Sequence, residues 1–167
     1  MFDAIARFFT APQATHAHDP KLAVAALLVH LAAVDGSVGE SEKLAVRRAL
    51  MDYYQLDEDA VRKLVHEARR QDAEAVDFYH FTSALSDLEE SQRLDIVRMM
   101  WQVVFADQQN HELEDNMVWR IAELIGVSAR QRTILRNEMA KKAGKPEAPE
   151  EAVPEVVLDQ VTETSGN

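Results

Sequence analysis

The sequence predicts an all-α fold, a single compact helical domain of about seven helices with an internal pseudo-twofold repeat. Three observations carry that prediction. Apolar residues recur at helical spacing through most of 20–142, and no stretch alternates with period two for long enough to make a strand. Only five Gly and five Pro occur in 167 residues, so breakers are scarce. The chain also matches itself at an offset of 72 residues.

Taken in order, residues 2–9 read as a short amphipathic helix with Phe2, Ile5, Phe8 and Phe9 on one side. It is expected to fold back on the domain, the alternative being contact with a membrane surface or a partner. Residues 11–20 read as a linker, and 1–19 together form an N-terminal appendage. Asp19-Pro20 opens the first long helix, which is apolar on nearly every side up to about Asp35 and therefore belongs at the centre. A second helix covers about 41–54, with Leu44, Ala45, Val46, Ala49 and Leu50 facing inward. Asp57 caps a third, about 58–71, and Asp77 to Leu85 gives a shorter fourth. Asp87 or Ser91 caps a fifth that runs to Asp107. The sixth covers 113–125 and is closed by Gly126, and Ser128 caps the last, which ends near Lys142. The domain is thus expected at 20–143, followed by an acidic, disordered tail at 144–167, in which Pro154 to Leu158 is a candidate docking motif.

Composition narrows the function. The chain is 47% apolar and 28% charged, with a net charge of −11, a surface that repels nucleic-acid phosphates and suits cations or basic partners. It has no cysteine, which excludes disulfides, thiolate catalysis and Cys-type zinc sites and leaves oxygen and imidazole as metal ligands. The start, MFDAIARFFTAP, lacks a continuous apolar core, and the longest apolar run, Leu22 to Val34, is interrupted by His30 and too short to span a bilayer. A cytoplasmic protein that is not transmembrane is the expectation. There is no Gly-rich phosphate loop, H-E-x-x-H or G-x-S-x-G, so no enzyme is expected.

The self-match sets Leu22 on Leu94, Asp35 on Asp107, Glu40 on Glu112, Glu42 on Glu114, Val46 on Val118 and Arg48 on Arg120. With one residue dropped after the second helix, Asp57 meets Ser128 and Leu64 meets Leu135. The copies cover about 20–71 and 92–142, and each strongly apolar helix needs the other to be buried. Between the first two helices of each copy stands an Asp-x₆-Glu signature, Asp35 to Glu42 and Asp107 to Glu114. Gly36 suits the left-handed exit from a helix, whereas an Asp facing a helix C-terminus is unfavourable and needs an offset: loop amides or a cation.

The spacing invites comparison with the second half of an EF-hand loop, but it fails as one. Ligand positions one and three would be Leu31 and Ala33, or Val103 and Phe105, and none of these coordinates calcium. What remains open is a site built from carboxylates of both copies. Asp35, Glu42, Asp107 and Glu114 are its candidate ligands, with Glu40 and Glu112 completing an oxygen-rich set. His111 would add an imidazole and move the preference from calcium or magnesium toward manganese or zinc. The alternative for each Asp is a local cap on loop amides. Arg48 and Arg120 read as structural ion pairs, and Trp101, Trp119, Met99 and Met100 as core.

The runs AAVDGSVGESEKLAVRRAL and FADQQNHELEDNMVWRIAELIGVSARQR resemble the TerB-like family, the tellurite-resistance protein B group of bacteria. The N-terminal module of certain DnaJ-type membrane co-chaperones is similar. The resemblance covers about 20–142 and implies an all-helical pseudo-twofold fold, no catalysis, and an acidic metal-binding cluster whose paired acids are Asp35 with Glu42 and Asp107 with Glu114. Gln108 and Asn110 depart from the pattern, where the family has Gly and an apolar residue, which favours the first loop as the ion holder. The function expected is a stress protein of tellurite-resistance type that binds a divalent cation or docks a partner through these loops. The alternative is a co-chaperone-like or scaffold module that binds proteins, at a membrane or elsewhere, through a helical surface and the flexible tail without metal, which predicts an exposed apolar groove.

Overall fold

The computed structural model describes residues 19–74, 79–107 and 112–144. Among the described residues the regular structure is helical throughout: α1 (Pro20–Ala32), α2 (Glu40–Tyr54), α3 (Glu58–Glu74), α4 (Tyr79–Leu85), α5 (Glu90–Val104), α6 (Glu112–Leu124) and α7 (Ala129–Lys142). The expected N-terminal helix, the start of the fourth helix, Gln108, Asn110, His111 and the acidic tail lie outside the described residues.

α1 is the central element, because its apolar residues leave no side for water. Ala23 to Leu28, Leu31 and Ala32 are buried, and α2, α3, α4, α5 and α6 all pack against it. Full burial of a leucine contributes about 1.5–3 kcal/mol, and Leu27, Leu28 and Leu31 are each inaccessible to solvent. α5 is the second such helix, burying Ile96, Val97, Met99, Met100, Trp101, Val103 and Val104. It lies against α1, α2, α6 and α7. Thus α3 packs on α1 as α7 packs on α5, and the two helices that bury the most apolar residues meet. No helix among the described residues is long and apolar enough to cross a membrane.

The helix boundaries follow from local chemistry. The Asp19 carboxylate accepts the Lys21 N–H and Pro20 occupies the first helical position. Asp57 accepts the Ala60 N–H at 2.8 Å, and Ser128 forms a capping box with Gln131. α5 starts between the two expected caps: Glu89 takes the cap position, its N–H donating to the Gln92 side chain, so neither Asp87 nor Ser91 caps it. α1 ends at Ala32 rather than Asp35. The amides of Ala33, Val34 and Gly36 turn back to the carbonyls of His30, Leu31 and Ala33, which tightens the chain into a turn. Gly36 then sits at φ 86°, the left-handed region that glycine enters without strain. α5 stops likewise at Val104, leaving Asp107 beyond the helix.

Two further expectations change. Leu44 is 43% exposed instead of facing the core. Arg48 and Arg120 are exposed and have no ion-pair partner among the described residues.

Candidate functional site: a four-carboxylate cluster

Glu42 is the third residue of α2 and Glu114 the third residue of α6. In an α-helix that position shares a face with residues three and four further on. These are Ala45 and Val46 in α2, and Met117 and Val118 in α6, all four buried. The glutamates are carried inward on those faces and each retains only 2% exposure. A buried carboxylate is costly unless it is hydrogen-bonded or loses its charge.

Both remedies are present. Glu42 Oε2 accepts the Gly39 N–H at 2.8 Å, one half of a capping box at the start of α2. Glu42 and Glu114 also share a hydrogen bond with each other. Glu114 is pushed up to about 8, first by burial, then by the charge of Glu42 and their shared bond, and finally by the charges of Asp35 and Asp107. Near neutral pH Glu114 therefore keeps its proton and donates it to Glu42. Two carboxyl groups in contact cannot both ionise, and one proton held between them relieves the repulsion.

The two aspartates complete the cluster from the turns that follow α1 and α5. Asp35 is exposed, and its Oδ1 accepts both the Ser37 N–H at 2.9 Å and the Ser37 Oγ–H at 3.3 Å. The loop amide thus offsets this carboxylate locally. Asp107 is half-buried and lies near enough to act on Glu114. Four acids separated by up to 79 residues are thus gathered into one place, two from each half of the chain.

The remaining candidates lie elsewhere. Glu40 points to solvent and pairs with Lys43 Nζ at 2.7 Å, an interaction that lowers its proton affinity. Glu112 is exposed at the start of α6, and His111 lies outside the described residues. Among the described residues no three His, Cys, Asp or Glu side chains are placed to hold a metal ion as they stand.

Sequence reasoning missed a second set of residues, the cations Lys43, Arg47, Arg62 and Arg69 that surround a hollow between α2 and α3. Their signal was the four-residue spacing of Lys43 and Arg47. It also missed Arg132 and Arg136, which lie over the rings of Trp119, and of Trp101 and Phe105.

With this geometry in view, the family model for tellurite resistance protein TerB matches residues 21–137. The chain belongs to the TerB family. The TerB match spans both Asp-x₆-Glu segments and ends within α7. Comparison with curated proteins and with solved structures finds no match.

Proposed function

We propose that this TerB-family chain is a non-enzymatic, cytoplasmic stress protein in which Asp35, Glu42, Asp107 and Glu114 together hold one divalent cation. A single observation carries this reading: buried carboxyl groups from two distant parts of the chain meet and share a proton. A proton is the smallest cation able to relieve that repulsion, and a divalent ion relieves more of it. The donor set is all oxygen, which suits calcium, magnesium or manganese; zinc gains ground only where His111 joins. Since no three acids stand ready, binding is coupled to loss of the Glu114 proton and to movement of an aspartate toward the pair.

Asp35 is the more exposed of the two aspartates, and the Ser37 turn that offsets it is itself exposed. Glu40 and Glu112 take no part in this reading. Their side chains are solvated, and Glu40 is engaged by Lys43.

Isothermal titration with calcium, magnesium, manganese and zinc tests the proposal on the wild type and on an Asp35→Asn/Asp107→Asn double variant. The expected result is one ion per chain for the wild type, with affinity lowered at least tenfold in the variant, about 1.4 kcal/mol. Identical heats in the two proteins would overturn it.

A further inference from the structure

The chain carries a net charge of −11, yet one face of its first half is both apolar and basic. Two adjoining hollows of about 410 and 580 Å³ lie along α2 and α3 and share Lys43 and Arg69. Val29, Ala33 and Val46 line the first, and Leu44 and Val65 the second. Four cations, Lys43, Arg47, Arg62 and Arg69, border them against a single lining acid, Glu40. Lys43, Arg47 and Arg62 form solvent-exposed pairs with Glu40, Glu58 and Asp59, at 2.7, 2.7 and 3.2 Å. Such pairs are worth little and exchange easily for other carboxylates. Arg69 has no ion-pair partner among the described residues.

The second half of the chain shows what fills the corresponding place. The self-match sets Val29 on Trp101, Ala33 on Phe105, Arg47 on Trp119 and Val65 on Arg136. There the Trp101 and Phe105 rings stack at 5.5 Å, Trp119 meets Trp101 edge-on at 6.2 Å, and Arg136 lies over both stacked rings. Arg136 is closed off by a 3.0 Å ion pair with Asp115, whose counterpart in the first half is Lys43. The first half therefore lacks apolar bulk flanked by a carboxylate, and a hollow stands in its place.

We infer that residues 155–159 of this same chain, Glu-Val-Val-Leu-Asp, occupy the α2–α3 groove. Val156, Val157 and Leu158 supply the missing bulk, and Glu155 and Asp159 face the bordering cations. Charge complementarity selects this segment: residues 145–167 carry six acids and one base, whereas the Phe-rich residues 2–9 carry one of each and are neutral. Glu155 lies eleven residues beyond Gly144, a span of up to about 36 Å when extended, about a third of the way around a domain roughly 35 Å across. Tethering makes the contact intramolecular, so weak pairing suffices to keep the groove filled. This inference is independent of the carboxylate cluster.

The absence of cysteine makes the test direct. A nitroxide on a single Gln160→Cys substitution in the full chain leaves 155–159 intact and broadens nearby resonances. The expected result is selective loss of signal at Val29, Leu44, Val46 and Val65. That loss should disappear in Leu158→Asp and in Arg47→Glu/Arg69→Glu, whose retained spectral dispersion shows that they fold. Broadening that is uniform, absent, centred on another face or unaffected by these substitutions would overturn the inference. So would broadening that appears only between labelled and unlabelled molecules in a mixture, which would assign the groove to a second copy.

Discussion

Glu114 shows how one side chain couples charge to stability. Its carboxyl group titrates near 8 in the folded chain, against an ordinary value of 4.5. A raised folded value means that the native state holds a proton which the unfolded state has released. The associated stability is complete below about pH 4.5 and is lost as pH rises through about 8. Stability measured in EDTA by urea unfolding should therefore fall steadily between about pH 5 and about pH 8. Glu114→Gln keeps a donor toward Glu42 but cannot ionise, so its stability should be nearly flat over that interval. An equal slope in both proteins would remove Glu114 as the source. The same variant should bind divalent cations at least tenfold more weakly, since an amide is a poor substitute for a carboxylate. Asp35 makes the smaller statement: with Ser37 replaced by Ala, its Oδ1 loses the hydroxyl bond but keeps the amide. A change of under about 0.5 kcal/mol is expected, typical of an exposed surface position.

At the scale of elements, Arg93 joins two helix ends that the hydrophobic pattern leaves unconnected. Its guanidinium donates to the Leu88 carbonyl at 3.1 Å, at the start of α5, and to the carbonyls of Ile125 and Gly126 at 3.0 and 3.3 Å, at the end of α6. Arg93→Ala leaves those carbonyls to water and should cost about 2 kcal/mol. The expected signature is a lower urea midpoint with an unchanged slope. Gly126→Ala should mimic it, because Gly126 holds φ 81° and an added Cβ would lie 2.7 Å from the Arg93 guanidinium. An unshifted midpoint in either variant would refute this link.

The helices themselves were legible because α1 is nearly uniformly apolar, α5 carries a broad apolar face, and Asp57 and Ser128 are strong caps. The ends of α1 and α5 were not. Val34 and Phe105 extend the apolar pattern past the point where carbonyls of the last turn are recaptured by amides two or three residues on. That competition is settled by backbone geometry that the side-chain pattern does not encode. Leu44 was misplaced inward for a related reason. It reads as core by type, but its position on α2 faces the groove beside α3.

For the molecule as a whole, the self-match of the sequence told which residues align, and packing decided which of them meet. The four acids Asp35, Glu42, Asp107 and Glu114 could be nominated from spacing alone. Their convergence into a single cluster, instead of two separate loops, required α2 to lie on α5 and α6 on α1. The outlying Glu40 shows the converse. It shares the spacing but is turned outward to Lys43. The groove escaped notice because it is defined by what is small, Val29 and Ala33, where the other half has Trp101 and Phe105. An absence of bulk has no signature until the two halves are laid side by side.

The claim that a divalent cation takes the place of the shared proton is tested most directly by counting protons released on binding. Titrating the full chain with manganese or calcium at pH 7, in two buffers of different ionisation enthalpy, gives that count from the difference in heats. Close to one proton per bound ion is expected at pH 7, falling toward zero well above the Glu114 value of about 8 and absent in Glu114→Gln. Binding with no proton release at pH 7, or release unchanged in Glu114→Gln, would contradict the shared-proton site.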